Sequence, residues 1–484
     1  MRILHISAEC YPAAKAGGLG DVAGALPKYL NKAGASTAVI IPKYYTRWIL
    51  SQEFTIVYRG SFRFHLAEIP FVIEQITSDV LGFPLYVANI PGKFDRPGVY
   101  ADENGRPFGD EVERAICFQQ AVLEWVLQMP EKPSILHCHD HHTGLIPFMV
   151  KHCYDYNALS QIPTVFTIHN GEYHGAFSWD KGFLLPAFNE NARGLLDWNY
   201  AVNSLASAIR CCWKLTTVSQ SYMAELRQYS NGLEGLLQNE IAKSAGILNG
   251  IDQQVWDPAT DKYLEHQVQG NDFAAFKEAN KALLCQRFNL DPSLPLITFI
   301  GRLVGEKGAD LLPGAIGRFL QYGHRASFVI LGTGEPMLHQ AFSNMRQLYA
   351  PYFNAALEYN EGLAHQLYAG SDFLLMPSRV EPCGLNQMYA MRYGTVPVVR
   401  SIGGLRDTVI DMDQPSGSGI SFSYLTQDDA SWAIFRATEL YKDQDRFTQL
   451  RQRITSLDHS WEKSAETYLE IYQALERSSD PIEV

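Results

Sequence analysis

Short apolar runs alternate with segments of helical spacing along this chain, and the alternation breaks once and then restarts. The first series of runs lies at 2–7, 37–42, 134–138, 163–168 and 214–218; the second lies at 296–300, 327–331, 372–376 and 396–399. Runs this short, apolar throughout and followed by helices, predict parallel strands covered on both faces. The break falls near GILNGID (246–252) and the polar stretch QQVWDPATDKYLEHQVQGND that follows it, where no apolar face repeats. The pattern therefore predicts an α/β chain of two Rossmann-like, doubly wound domains, 1–245 and 246–460, facing a central cleft. Residues 461–484 form a third segment, read as helical over 461–474 from Trp461, Ala465, Tyr468, Leu469 and Tyr472, with the final SSDPIEV frayed. Residues 52–100, richer in aromatics, are expected as strands and loops at the edge of the first domain.

Composition narrows the partners. A net charge of −12 without a long basic run argues against nucleic acid or an anionic membrane surface. No apolar run reaches the ~20 residues that span a bilayer, and MRILHISAEC reads as a first strand with no leader. The eight cysteines form no CxxC, which suits reduced thiols in the cytoplasm.

In such folds ligands bind at the carboxyl ends of strands, so the loops after strands carry the chemistry. The first strand runs into AAKAGGLGD, where Gly17 and Gly18 let backbone approach a phosphate and Lys15 adds a mobile positive charge; the alternative is a tight turn with a solvated lysine. The helix after it spans Leu19 to Leu30, contains Pro27, which should bend it, and ends at Gly34. HCHDHH (137–142) has the look of a metal site, yet no second cluster supplies remote ligands. Sugar or acceptor binding by Asp140, with structural histidines, is the reading preferred. His169, in TIHNG, either contacts a reacting sugar or only packs. In GRLVGEKG, Arg302 and Lys307 can clamp a diphosphate, the one as a fork and the other as a point charge; the alternative is solvated basic residues. Gly332-Thr-Gly334 reads as a turn near a nucleotide or a purely structural one.

The stretch from Pro377 to Leu405, PSRVEPCGLNQMYAMRYGTVPVVRSIGGL, is the most informative. A helix starting at Pro382 would place Glu381 at its N-cap and aim the N–H groups of Cys383 and Gly384 at an anion. Gly394 would close that helix before the next strand.

These motifs, in this order, resemble those of bacterial glycogen synthases and plant starch synthases, retaining glucosyltransferases of the GT-B fold. The resemblance rests on AECYPAAKAGGLGDVAGALPK, HCHDHHTGL, FTIHN, ILNGID, IGRLVGEKG and, above all, PSRVEPCGLNQMYAMRYGTVPVVRSIGGLRDTV, and covers nearly the whole chain. It implies transfer of glucose from ADP-glucose, with UDP-glucose the alternative donor, to the non-reducing end of an α-1,4-glucan such as glycogen. It also implies that no metal or other cofactor takes part, and that the C-terminal helix crosses back to the first domain. Carried over by motif, Lys15, Gly17 and Gly18 contact the donor, and Arg302 and Lys307 bind its diphosphate. Glu381 holds the glucose hydroxyls; Cys383, Gly384 and Leu385 line the phosphate side. Tyr359 stands by the nucleobase, His169 lies under the reacting sugar, and Asp140 and Asn249 line the sugar site. The catalytic set is thus Glu381, His169, Arg302 and Lys307.

The sequence departs from the wider fold class at Tyr389, where a second glutamate is common, and from the FTIHN-Leu-x-Tyr form at FTIHNGEYHG. Without a second carboxylate, same-face attack by the acceptor is favoured, with Glu381 as a positioning group. Donor and acceptor on opposite walls also imply closure of the domains on binding. Competing readings are a nucleotide-sugar glucosyltransferase acting on a small acceptor, and a non-catalytic glucan-binding protein.

Overall fold

The computed structural model describes residues 1–103 and 106–479. The chain divides into two compact units. The first comprises Met1–Val218, Met223–Asn249 and the segment from Trp461; the second comprises Ser219–Tyr222 and Gly250–Ser460. Each strand expected from the apolar runs is present to within one residue at either end.

The strands of the first unit are β1 (Arg2–Ile6), β2 (Ser36–Pro42), β3 (Phe54–Phe64), β4 (Ala67–Ile76), β5 (Leu85–Asn89), β6 (Ile135–His139), β7 (Thr164–Ile168), β8 (Ala176–Ser178), β9 (Asp197–Trp198), β10 (Ala201–Asn203), β11 (Lys214–Thr217) and β12 (Ser244–Gly246). Nine of them form one sheet in the order β12-β11-β7-β6-β1-β2-β5-β4-β3. The sheet is parallel from β12 to β5, as the buried apolar runs require, but β4 pairs antiparallel with both β5 and β3. The aromatic-rich segment therefore makes a mixed edge on a sheet expected to be wholly parallel. Along β3 exposed and covered residues alternate, the pattern of a strand with one face in water. The remaining strands, β8, β10 and β9, form a small antiparallel sheet.

Helix Gly18–Lys32 follows β1 and runs on through Pro27. Helix Trp461–Ser479 packs in this same unit: Trp461, Ala465, Tyr468 and Tyr472 share a core with Val22, Leu26 and Leu30 of the first helix and with Ile3, Ile135 and Val165 of the sheet. Frayed ends were expected for SSDPIEV; from Asp480 on, these lie outside the described residues.

The second unit contains β13 (Leu296–Ile300), β14 (Ser327–Leu331), β15 (Phe353–Ala356), β16 (Phe373–Met376), β17 (Val396–Arg400) and β18 (Ile420–Phe422), all parallel, in the order β15-β14-β13-β16-β17-β18. The polar stretch read as featureless belongs to this unit. Trp256 stacks between His365 and Tyr389, at 3.9 and 3.7 Å between ring centres, and Asp261 accepts bonds from Tyr393 and His365 at 2.6 Å.

One expected element is displaced. The helix after β16 spans Asn386–Arg392, with Leu385 at its N-cap, so Pro382 is not its first residue and Glu381 does not cap it. Glu381 is drawn away by side-chain partners described below. With seven residues, the helix gives no support to the anion site expected at its N-terminus. It does end where Gly394 predicted, φ there being +73°.

All eight cysteines are buried free thiols. Among the described residues, no helix is long and apolar enough to cross a membrane.

Candidate functional site

In the parallel part of each sheet the strand order reverses once. In the first unit β1 lies between β2 and β6; in the second β13 lies between β14 and β16. Loops leaving such a reversal diverge to opposite faces and leave a crevice at the carboxyl ends. The Lys15 loop follows β1 and Asp140 follows β6; the Arg302–Lys307 loop follows β13 and Glu381 follows β16.

In the first unit the glycine loop is fixed from beneath. The buried Glu9 carboxylate accepts the N–H groups of Ala16 and Gly17 through Oε2, at 2.6 and 2.9 Å, and the Tyr100 hydroxyl through Oε1 at 2.7 Å. The Gly17 N–H thus faces inward and is spent on Glu9. A side chain on Gly17 or Gly18 would meet no protein atom, so the outer surface of the loop is open. Gly17 caps helix Gly18–Lys32 with no side-chain bond, which leaves first-turn N–H groups toward that opening. Lys15 is half-exposed and reaches Asp21 at 2.7 Å.

Asp140 is buried with φ +55° and ψ 177°, a conformation that costs a non-glycine residue about 1–3 kcal/mol. Its Oδ1 accepts the N–H of His169 at 2.7 Å and of Asn170 at 3.3 Å, tying the loop after β6 to the loop after β7. Burial raises the Asp140 carboxyl to about 6, against the opposing pull of the His169 N–H.

His169 Nε2 lies 2.9 Å from His139 Nδ1, and His139 Nε2 lies 2.9 Å from His5 Nδ1. Beside this line His137 bonds Thr167 Oγ1 at 2.6 Å and the Tyr472 hydroxyl at 2.7 Å. Burial lowers His169 and His5 to about 3 and holds His137 and His139 well below the usual imidazole range, so all four are neutral. Asn249 is buried, and its Oδ1 has no hydrogen-bond partner.

In the second unit Lys307 Nζ contacts Glu381 Oε1 at 2.7 Å, and Ser378 donates to Glu381 Oε2 at 2.9 Å. The Glu381 side chain is 8% exposed and that of Lys307 22%, so the pair is largely out of water. Arg302, 59% exposed, pairs with Glu306 at 3.1 Å, and the Glu306 carbonyl accepts the Arg379 N–H at 2.8 Å. The loop after β13, which carries Arg302 and Lys307, is thereby laced to the segment after β16, which carries Glu381.

The segment through Cys383, Gly384 and Leu385 is braced in turn. Gln387 donates to the Cys383 and Gly384 carbonyls, and Gly404 N–H donates to the Glu381 carbonyl at 3.0 Å. A Cβ on Gly404 would sit 2.0 Å from the Cys383 carbonyl oxygen, so only glycine fits there. Gly332-Thr-Gly334 is held as a turn by backbone bonds: Leu303 N–H bonds the Thr333 carbonyl and Glu335 N–H the Leu303 carbonyl, each at 2.9 Å. Tyr359 is 81% exposed, just before helix Glu361–Gly370.

Two groups place potential metal ligands within 4.8 Å of one another: His5, His137 and His139, and Glu111, His141 and His142. The expectation that the histidine run lacks remote partners is therefore corrected, since β1 supplies His5 and helix Glu111–Gln128 supplies Glu111. In the first group His137 and His139 already use both ring nitrogens in hydrogen bonds.

Sequence reasoning passed over Glu9, Tyr100, Ser378 and Gln387. Glu9 had one signal, an acid inside an otherwise apolar strand end; Tyr100 acts through a contact 91 residues away, and Ser378 and Gln387 act on neighbours three or four residues away.

The chain was compared with known proteins. Residues 2–239 match the model of the starch synthase catalytic domain, and residues 282–453 that of the group 1 glycosyl transferases. The glycogen synthase of Flavobacterium johnsoniae is 46% identical over 476 residues, covering 98% of this chain and 99% of that one. The glycogen synthase of Streptococcus pneumoniae is 37% identical, covering 98% and 100%. Among solved structures, the catalytic domain of starch synthase IV from Arabidopsis thaliana, bound to ADP and acarbose, matches with a TM-score of 0.86 and 33% identity, covering 98% of this chain and 99% of that one. Sucrose-phosphate synthase from Thermosynechococcus elongatus matches with a TM-score of 0.62 at 15% identity over 99% of both chains, a likeness of fold alone. Relatives this similar over their full lengths place the chain in the glycogen synthase and starch synthase family, glycosyltransferases of the GT-B fold.

Proposed function

We propose that this protein is a cytoplasmic glycogen synthase that moves glucose from ADP-glucose to the non-reducing end of an α-1,4-glucan, with retention and without a catalytic metal. The observation that carries the reading is the Glu381 carboxylate, held at the end of β16 between Lys307 and Ser378, with Arg302 on the same loop as Lys307. A buried acid locked in that way can receive sugar hydroxyls, while the cations beside it meet charge on a departing diphosphate.

In this reading Arg302 and Lys307 stabilise the leaving group, and the short helix after β16 is not needed for it. Glu381 orients the glucose, Cys383, Gly384 and Leu385 line its phosphate side, and Tyr359 flanks the base. Lys15, with Gly17 and Gly18, is assigned a phosphate contact. Asp140, Asn249 and His169 are assigned to sugar hydroxyls; the unpartnered Oδ1 of Asn249 suits an acceptor of one. Tyr389, where a second glutamate would stand, is stacked on Trp256. That supports same-face attack, in which the acceptor hydroxyl bonds to the anomeric carbon as the diphosphate leaves and takes up the acceptor's proton. ADP as leaving group draws support from the starch synthase solved with ADP, and the cytoplasm from eight free, buried thiols.

The test is incorporation of label from ADP-glucose and UDP-glucose, at equal concentration, into glycogen. The reading expects label in glycogen and a faster initial rate with ADP-glucose. Label on a small sugar acceptor, with none in glycogen, would overturn it.

A further inference from the structure

Two partly buried imidazoles in the first unit have almost nothing to bond. Nδ1 of His141 and Nδ1 of His142 are buried without a partner, and Nε2 of each is directed at the same atom, Glu111 Oε1. Those distances are 3.5 and 3.9 Å, at or beyond the outer limit of a hydrogen bond. Buried polar groups in proteins are nearly always satisfied, so a purely structural pair of histidines would be an expensive arrangement.

The same distances suit another bonding pattern. Two ligands on one tetrahedral zinc, each at ~2.0–2.1 Å, stand roughly 3.3–3.5 Å apart. One ligand atom from each of Glu111, His141 and His142 lies within 4.8 Å of the other two, so small side-chain rotations close the set. Two of the three groups are held in place. A Cβ on Gly175 would come within 2.7 Å of the His141 ring, so that ring lies flush against backbone. His142 is stacked on Tyr100, at 4.7 Å and 18° between planes. Glu111, at the start of its helix with a side chain 58% exposed, is free to adjust. The trio borders a cavity of about 400 Å³ whose other walls include Tyr173, His174 and Ser204, so a fourth position faces open space.

We propose that Glu111, His141 and His142 form a binding site for one Zn²⁺ ion, or a similar borderline transition-metal cation, with its remaining position open to the cavity. The ion takes no part in glucosyl transfer. It ties the first turn of helix Glu111–Gln128 to the turn after β6, directly beneath Tyr100, whose hydroxyl holds Glu9 and through it the glycine loop.

The test uses untagged, chelator-stripped full-length protein titrated with Zn²⁺ in competition with a chromophoric chelator. One equivalent should bind, melting should shift upward with added Zn²⁺, and Co²⁺ in its place should give the visible bands of a tetrahedral site. His141→Gln and Glu111→Gln should each weaken binding at least as much as the roughly 10–100-fold that loss of a mere outer partner costs. Both variants should melt like the parent when metal-free, which separates lost ligation from lost folding. His5→Gln should bind normally. Absence of stoichiometric binding, equal binding by the Glu111 and His141 variants, or loss in the His5 variant instead would each overturn the proposal.

Discussion

Lys307 reaches across from the loop after β13 to hold one oxygen of Glu381 at 2.7 Å, while Ser378, three residues before that carboxylate, holds the other. Neither residue is well placed to give up its partner, because the Glu381 side chain is only 8% exposed. Lys307→Ala should therefore do two separable things. It should destabilise the protein by about 1–3 kcal/mol, because a buried acceptor loses its donor, and slow transfer by ~10²–10³. Adding Glu381→Gln should recover part of the stability in urea titrations and none of the glucose incorporation, the signature of a coupled pair.

Arg302 presents the opposite case. Its side chain is 59% exposed and its partner Glu306 is partly buried. Arg302→Ala should leave the unfolding free energy from urea titration within about 0.5 kcal/mol of the parent yet lower kcat/KM for the nucleotide sugar. Arg302→Lys should fall between, keeping the charge but losing the fork that grips two phosphate oxygens. Initial rates across donor concentrations decide this.

Burial raises the Asp140 carboxyl to about 6. In the role proposed for it, holding sugar hydroxyls as a carboxylate, initial rates should fall below pH 6, approaching roughly tenfold per pH unit. Asp140→Asn should have a lower plateau and no such fall.

Stability should also fall with pH, for a different reason. The unfolded chain protonates His5 and His169 near 6.5, whereas burial holds them at about 3 in the fold. Between those values the unfolded state binds more protons, so stability is intact above 6.5 and declines as the pH drops. Each such imidazole contributes a slope of roughly 1.4 kcal/mol per pH unit. Urea midpoints measured downward from neutral pH should show it, and His5→Gln should make the slope shallower.

The parallel strands were legible because a strand covered on both faces must be apolar along its length, and runs such as LITFI or SFVIL leave little else to fold into. The glycine loops after β1 and β13 were legible for a related reason: tight strand-to-helix turns need small residues. The helix start at Pro382 was misread because proline permits a first helical position without enforcing one, and Glu381 is held by Lys307 and Ser378 instead of capping a helix. The stretch 253–272 showed no periodic apolar face because its partly or fully buried residues, Trp256 and Asp261 among them, lie in irregular segments with no period. Glu9 was invisible as a loop anchor because its partners, Gly17 and Tyr100, become neighbours only after folding.

The Tyr472 hydroxyl reaches into the sheet to bond His137, and Trp461, Ala465 and Tyr468 seal the same seam. A ribosome makes that helix after the whole of the second unit, so the lobe begun first is completed after the other. Until that helix emerges, its half-formed interior stays exposed along Ile3, Leu26 and Ile135. Nascent chains stalled short of Trp461 should accordingly be clients for chaperones and proteases, even though every loop assigned to sugar chemistry has already been synthesised.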